Sequence, residues 1–594
     1  MFYFLICWSS LIVICTVIGG GVLDLIQRSA IRRLGDRWMI AIWLGILALA
    51  LCLLSASFFL PLTPWVGITL MALLVGLAWR RPGARQLLGA VRARATGRKT
   101  LLVFLLMLVI SVPTTQPVIW YDTGLYHFGV IRWLANYGTV PGLSLLVSQF
   151  GFFATWFALA APFNPEELST RGTVVINGLI TFVSLLHLSL AILRLAQAKG
   201  QLADWFLLGF GVLALGFLSI SSFMREVFVS PSTDIPILML TGLLGWVLVI
   251  LFQSQGAITG AITKSPEVFD PETFWDDRAI LLLLGAGALS IKLTALPILP
   301  VALLAYSVVQ GKFRWQRACL GLGLIAIVMT PAMVYGVITS GCPLYPAQAL
   351  CLNLPWSARP EQMAMEVARV TDWMDWFGEP PAGVVRWQWA LKQWFVTTAS
   401  NVVIVGLAGL AIAGVAVLWR RYPLRQLDDQ VWLVLLGLLG MVFTLTRTPV
   451  VRLGLGYFLI LPAFLGALLL AAGLGDRILA PLRHRFTQSW PWLQRYGNGL
   501  LFAGTTLLVF GVSIQPGFAE RLLLPPPLPT VASERDQINN LTYRYPVDAE
   551  VCWAIALPCI QEGISHQKGA ILEDNLVLRD PDAGLAGGFM LQRP

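Results

Sequence analysis

The chain has 594 residues, of which 57% are hydrophobic and only 12% charged, with a mean hydropathy of +0.75. That balance excludes an ordinary soluble domain. The net charge of +10 does not point to nucleic acid, because the basic residues gather in short segments between apolar stretches and no nucleic-acid motif accompanies them.

Apolar stretches near the length of a bilayer span, roughly 17–25 residues each, recur along the chain. Backbone polar groups in lipid must be satisfied within their own segment, so the expected fold is an all-α polytopic membrane protein. The first stretch, 2–23, has no basic n-region and no cleavage site, and reads as a retained span rather than a signal peptide. Arg28, Arg32, Arg33 and Arg37 follow it. Arg80, Arg81, Arg85, Arg92, Arg94, Arg98 and Lys99 fill a second loop. Such clusters mark the cytoplasmic side and attract anionic headgroups. Spans at 38–60, 65–79 and 100–119 then alternate, which delivers Asp122 to the extracytoplasmic face.

Further spans are expected at 172–195, 203–222, 235–252, 279–291, 293–309, 317–338, 401–419, 430–445, 453–473 and 498–514. They keep the later basic groups inside: Arg194 with Lys199, Lys312 to Arg317, Arg420 to Arg425, and Arg477 to Arg485. The total is about fourteen spans, with both termini outside. Parity makes the apolar stretch 143–163 a juxtamembrane or re-entrant helix on the outer face. Pro297 and Pro300 interrupt the pair around Lys292, so two half-length helices fit there.

Three blocks result. Residues 1–99 form a three-span N-terminal block. Residues 100–514 form the core, with outer segments at 113–171 and 339–396. Residues 515–594 are expected to be a small extracytoplasmic domain, α/β or β-rich, behind the stiff lead-in Pro525-Pro526-Pro527. The tryptophans of the second outer segment, Trp373, Trp376, Trp387, Trp389 and Trp394, read as interfacial anchors. Cys342 and Cys351 share that segment, and Cys552 and Cys559 share the tail. Two close pairs on the oxidising side, with no metal-ligand spacing around either, point to two disulfides.

Charged residues at the outer ends of spans are the candidates for chemistry. Asp122 stands in Trp120-Tyr121-Asp122-Thr123-Gly124-Leu125-Tyr126-His127, ahead of an amphipathic segment. The plain reading is a helix N-cap, and the sharper one is a base that activates an acceptor. Tyr126 shares its face at i+4, whereas His127 points elsewhere and reads first as a structural residue. Asp234 ends Ser230-Pro231-Ser232-Thr233, again a capping pattern. With Arg225 and Glu226 it concentrates charge at one mouth of the bundle. Arg447 and Arg452 lie on the outer side against the positive-inside trend. They read either as snorkelling cations or as a phosphate clamp, and Lys292 invites the same pair of readings. No phosphate-binding glycine loop, dinucleotide fingerprint, zinc signature or nucleophile elbow is present in the sequence, so the chain is not expected to be driven by ATP on its own.

Together these residues resemble the C-type glycosyltransferase superfamily, multi-span enzymes that use polyprenyl-phosphate sugars. The likeness covers roughly 100–473. It rests on Tyr121-Asp122-Thr123-Gly124-Leu125-Tyr126 with Gly138 and Pro141, on Arg225 through Asp234, and on Lys292-Leu293-Thr294. It departs in having Thr-Gly where a second acid would follow Asp122. The chain is similar over more of its length to an uncharacterised group of bacterial multi-span proteins. That likeness rests on Asp122 to His127, Ser230 to Asp234, Gly341-Cys342-Pro343-Leu344-Tyr345-Pro346, Val451-Arg452-Leu453-Gly454-Leu455-Gly456-Tyr457, Cys552-Trp553 and Leu557-Pro558-Cys559.

The resemblance implies a transferase of a bacterial inner membrane. It would move a hexosyl or pentosyl group from a lipid-linked donor to an extracytoplasmic glycan, lipid or protein. Asp122 is then the catalytic residue, and Asp234, Lys292, Arg447, Arg452, Tyr126, His127 and Arg225 bind substrate. A divalent cation is the one cofactor left open. The alternatives are a lipid-linked sugar flippase or transporter, and an O-antigen polymerase or ligase-like enzyme.

Overall fold

A computed structural model describes residues 1–26, 31–252, 275–421, 430–447, 449–475, 517–561 and 575–592, with isolated positions between 477 and 511. The helices follow the apolar runs. In chain order they are α1 (Phe2–Asp24), α2 (Leu34–Ala56), α3 (Pro64–Trp79), α4 (Pro82–Arg94), α5 (Gly97–Thr114), α6 (Phe128–Tyr137) and α7 (Thr155–Ala160). Then come α8 (Val175–Ala196), α9 (Leu202–Ile220), α10 (Ser222–Phe228), α11 (Asp234–Phe252), α12 (Ala279–Ile291), α13 (Ile298–Ser307) and α14 (Trp315–Ser340). The last are α15 (Pro360–Thr371), α16 (Arg386–Thr397), α17 (Ala399–Arg421), α18 (Val431–Arg447), α19 (Val451–Leu469) and α20 (Phe518–Leu523).

Among the described residues, nine helices are long and apolar enough to cross a membrane: α1, α2, α5, α8, α9, α11, α14, α17 and α19. The protein is therefore an all-α polytopic membrane protein. Four shorter apolar helices, α3, α12, α13 and α18, occupy other positions where spans were expected. The expected span at 498–514 lies outside the described residues, apart from isolated positions, as do Arg28, Arg425, Arg483 and Arg485.

Local chemistry sets several boundaries. Thr63 caps α3 by accepting from the Val66 N–H at 3.3 Å, ahead of Pro64 in the first turn. The polypeptide breaks at Lys292, whose extended backbone (φ −156°) separates α12 from a 3-10 turn and α13. α1 and α2 approach at glycines. A Cβ at Gly19 would stand 1.7 Å from the Ala41 carbonyl oxygen, and one at Gly45 2.1 Å from that of Cys15. Contacts of this kind let helices associate by close packing, where lipid offers no hydrophobic drive.

Two segments differ from the sequence expectation. The second basic cluster is helical. α4 carries its middle, burying Gly83, Ala84 and Leu87 while Arg85, Arg92 and Arg94 stay exposed, and Arg98 and Lys99 fall in the first turn of α5. The stretch 143–163 is a chain of short turns, with α7 as its only α-helical piece. Gly142 takes a left-handed conformation (φ +69°), and Pro162 lies near the start of the last turn. Most of its apolar side chains are buried, which accounts for their hydropathy without a span.

The two ends of the bundle differ in chemistry. At one end Arg33 pairs with Asp204 at 2.7 Å, Arg194 joins Asp36 and Asp204, and Asp276 holds Arg278 and Arg317 at 3.0 and 2.8 Å. The other end carries the disulfides Cys342–Cys351 and Cys552–Cys559. There the tail forms two antiparallel hairpins, β1 (Ser533–Ile538) with β2 (Leu541–Pro546) and β3 (Leu576–Leu578) with β4 (Phe589–Leu591). The tail docks on α6. The Phe589 ring stands edge-on to Trp133 at 5.9 Å, and the Arg132 guanidinium donates to the Ile555 carbonyl at 2.6 Å.

Candidate functional site

Four charges from four parts of the chain meet at the disulfide end. Arg452, in the first turn of α19, donates to Asp122 Oδ2 at 3.2 Å. The same guanidinium nitrogen lies 3.5 Å from Asp234 Oδ2. Asp234 Oδ1 takes the Lys292 ammonium. The Arg452 guanidinium also lies over the Trp120 ring, 4.9 Å from its centroid, a favourable cation–π position. The cluster holds two acids and two bases, so it is neutral overall. It is not sealed. The side chains of Asp122, Lys292 and Arg452 are 24%, 22% and 21% exposed, against 2% for Asp234.

Each member is delivered by identifiable local structure. Asp122 does not cap its helix. Its own backbone is helical, and the carboxylate makes no capping hydrogen bond. The turn after it, Thr123–His127, is a π-helix, a rare form that recurs at functional sites. The Asp122 carboxylate is thus free for Arg452, and its Oδ1 accepts no hydrogen bond among the described residues. Asp234 is released in a similar way. Ser232 Oγ accepts from the Asp234 N–H at 3.2 Å, and Asn177 of α8 donates to the carbonyls of Ser230 and Ser232 at 2.7 and 2.8 Å. Serine and asparagine do the capping, and the aspartate is left for the two cations.

The glycines near Arg452 bring its helix in. A Cβ on Gly454 would meet Thr444 Oγ1 of α18 at 2.1 Å, and one on Gly456 would meet Thr241 of α11 at 2.7 Å. α19 therefore packs tightly on both neighbours, and Arg452 reaches the head of α11. Tyr457 closes the group by donating to the Thr294 carbonyl at 2.9 Å, just beyond Lys292.

Tyr126 and His127 stand behind Asp122, with ring centroids 4.4 Å apart. Burial, then the carboxylates of Asp122 and Asp234, push the Tyr126 phenol well above its ordinary range. Burial, then the charge of Lys292, holds the His127 imidazole down at about 3. His127 is therefore neutral and packs against Phe157 at 5.3 Å. Arg447 and Arg225 do not join the cluster. Both are exposed, Arg447 at the end of α18 and Arg225 in α10.

Among the described residues no three His, Cys, Asp or Glu side chains gather as a metal group would require. Both oxygens of Asp234 already face cations. This donor set does not fit a divalent ion.

The tail covers the helix that carries Asp122. The Trp553 ring, inside the Cys552–Cys559 loop, lies so close that a Cβ on Gly124 would meet it at 2.7 Å, with Val551 equally near. Gln561 donates to the Leu125 carbonyl at 2.7 Å. Two distant motifs, Asp-Thr-Gly and Cys-Trp, are thus halves of one contact. Gly124→Val is expected to loosen it at a cost of about 1–3 kcal/mol, the usual range for overpacking. Limited proteolysis should then cut faster between 548 and 561 while the bundle stays intact. Unchanged cleavage would show that the contact does not hold the tail.

A family model described as a domain of unknown function (DUF8201) matches residues 1–459. No curated protein and no solved structure matches the chain.

Proposed function

We propose that this chain, which belongs to the DUF8201 family, is an integral-membrane glycosyltransferase that takes a sugar from a polyprenyl-phosphate donor and passes it to an extracytoplasmic acceptor. The reading takes the disulfide end as the extracytoplasmic face of a bacterial inner membrane, with both termini on that side. One observation carries it: Asp122, Arg452, Asp234 and Lys292 form a single, partly open cluster at the ends of apolar helices.

The chemistry follows from the charges. In the resting state Asp122 occupies Arg452. A donor phosphate, with geometry suited to a guanidinium, competes for that cation and frees the Asp122 carboxylate. Asp234, almost wholly buried, keeps Lys292 and Arg452 aimed into the site. The acceptor hydroxyl attacks the anomeric carbon, and the bond from that carbon to the phosphate oxygen breaks. The phosphate leaves with the electron pair, stabilised by Arg452 and Lys292. The hydroxyl proton passes to Asp122 Oδ1, the oxygen that accepts no hydrogen bond among the described residues. Position and electrostatics then supply most of the acceleration.

Binding of a long-chain polyprenyl phosphate to the purified full chain tests the reading. Arg452→Gln is expected to weaken it at least tenfold, about 1.4 kcal/mol. Arg447→Gln, with the same charge change outside the cluster, should not. Equal affinities in the two variants would remove the phosphate from this site. The break at Lys292 also suits a flippase, since transporters bind at interrupted helices. That reading calls for lipid movement across vesicles without sugar transfer.

A further inference from the structure

A second polar centre lies at the disulfide end, outside the four-charge cluster. α15 buries two residues one helical turn apart, Met363 and Glu366. Met363 Sδ packs on both sulfurs of the Cys342–Cys351 disulfide, 3.3 Å from Cys342 Sγ and 3.8 Å from Cys351 Sγ. That contact sets the rotation of α15 and with it the carboxyl of Glu366, whose side chain is only 5% exposed. Glu366 Oε1 accepts from Ser148 Oγ at 2.6 Å, Gln149 Nε2 at 3.4 Å and the Arg369 guanidinium at 2.6 Å. Its Oε2 accepts from nothing among the described residues.

Two neighbouring oxygens also lack a partner, and these are enclosed. Gln149 Oε1 and the Tyr345 hydroxyl are buried without a hydrogen-bond partner, in residues 8% and 0% exposed. Buried polar atoms are nearly always paired, so two unpaired ones in one neighbourhood call for a ligand. The centre adjoins the charge cluster through aromatic rings. Phe152 stands 6.0 Å from Tyr126 and 5.9 Å from Tyr345, centroid to centroid.

The atoms left over are two acceptors and a phenol. They match hydroxyl groups, each of which donates one hydrogen bond and accepts others. Burial holds Glu366 above the ordinary carboxylate range, which suits a neutral hydroxyl better than a phosphate. We propose that Glu366 and Gln149, with the Tyr345 hydroxyl, form an acceptor-side subsite for a neutral carbohydrate. The proposal rests on the transferase reading and names the class of its acceptor. Tyr126 lies in the field of both Asp122 and Glu366, and through Phe152 it joins the Tyr345 ring to the turn that carries the proposed base.

The test is a titration of the full chain in detergent, read by saturation-transfer NMR. The panel is glucose, galactose, mannose, N-acetylglucosamine and their β-linked disaccharides. The wild-type chain is expected to bind at least one. Glu366→Gln should weaken that sugar at least tenfold. The three donors at Oε1 hold the amide oxygen, so the NH2 turns to the open side and replaces an acceptor with a donor. Gln149→Leu should weaken it similarly, and it decides the matter where Glu366→Gln fails to fold. Glu366→Asp should restore part of the loss. Unchanged sugar affinity in a folded variant, or no panel sugar bound by the wild-type chain, overturns the subsite. Polyprenyl-phosphate affinity is measured on the same samples. Its failure in the wild-type chain sinks the transferase reading alone and leaves the sugar titration standing.

Discussion

Asp122→Asn is expected to lower sugar transfer by roughly 10²–10⁴-fold, the usual contribution of a positioned general base. Polyprenyl-phosphate affinity should hold or rise in the same variant. The opposite signs follow from one contact. Asp122 Oδ2 neutralises Arg452 in the resting protein, so removing its charge leaves the guanidinium more available to phosphate. An amide of the same shape keeps the packing but cannot take the proton. A residue that only capped a helix would give a different pattern, with lower stability and no gain in phosphate binding. Transfer measured with purified protein in nanodiscs, beside lipid binding on the same sample, separates the two. Undiminished transfer in Asp122→Asn would end the role of Asp122 as base.

Much of the scaffold was legible because an apolar run in a chain this hydrophobic has few alternatives to a helix. The cluster was legible for the converse reason. Charges are costly beside lipid, so Asp122, Asp234, Lys292 and Arg452 stand out. What the pattern could not resolve was direction. Arg447 and Arg452 are five residues apart and looked equivalent. One ends α18 and is exposed, while the other begins α19 and lies over Trp120. Capping was also misleading. Asp122 and Asp234 both occupy capping sequences, but Ser232 and Asn177 hold the backbone around Asp234, and Asp122 caps nothing. Glu366 was missed altogether. It sits in an ordinary amphipathic stretch, and its only local signal is Met363 one turn earlier on the same face. That signal acquires meaning only once the Cys342–Cys351 disulfide is placed beneath it.

Asp234→Asn should destabilise the chain by about 3–5 kcal/mol, the range for breaking a buried ion pair by removing one partner. Asp234 is the anion on which α11, the break at Lys292 and the head of α19 converge. Its side chain is 2% exposed, so solvent does little to screen what remains. With its charge gone, Lys292 loses its carboxylate partner at a partly buried site, while Arg452 still meets Asp122. Lys292→Met is a milder change, because Asp234 keeps Arg452. The double variant Asp234→Asn with Lys292→Met should recover much of the loss, since it removes the stranded cation as well. Thermal unfolding of the four proteins in one detergent closes the cycle and gives the coupling directly. Additive effects would mean that the two side chains do not act as a pair. Positive coupling with lost phosphate binding in Lys292→Met would assign the ammonium both tasks, holding the helix heads together and receiving the leaving group.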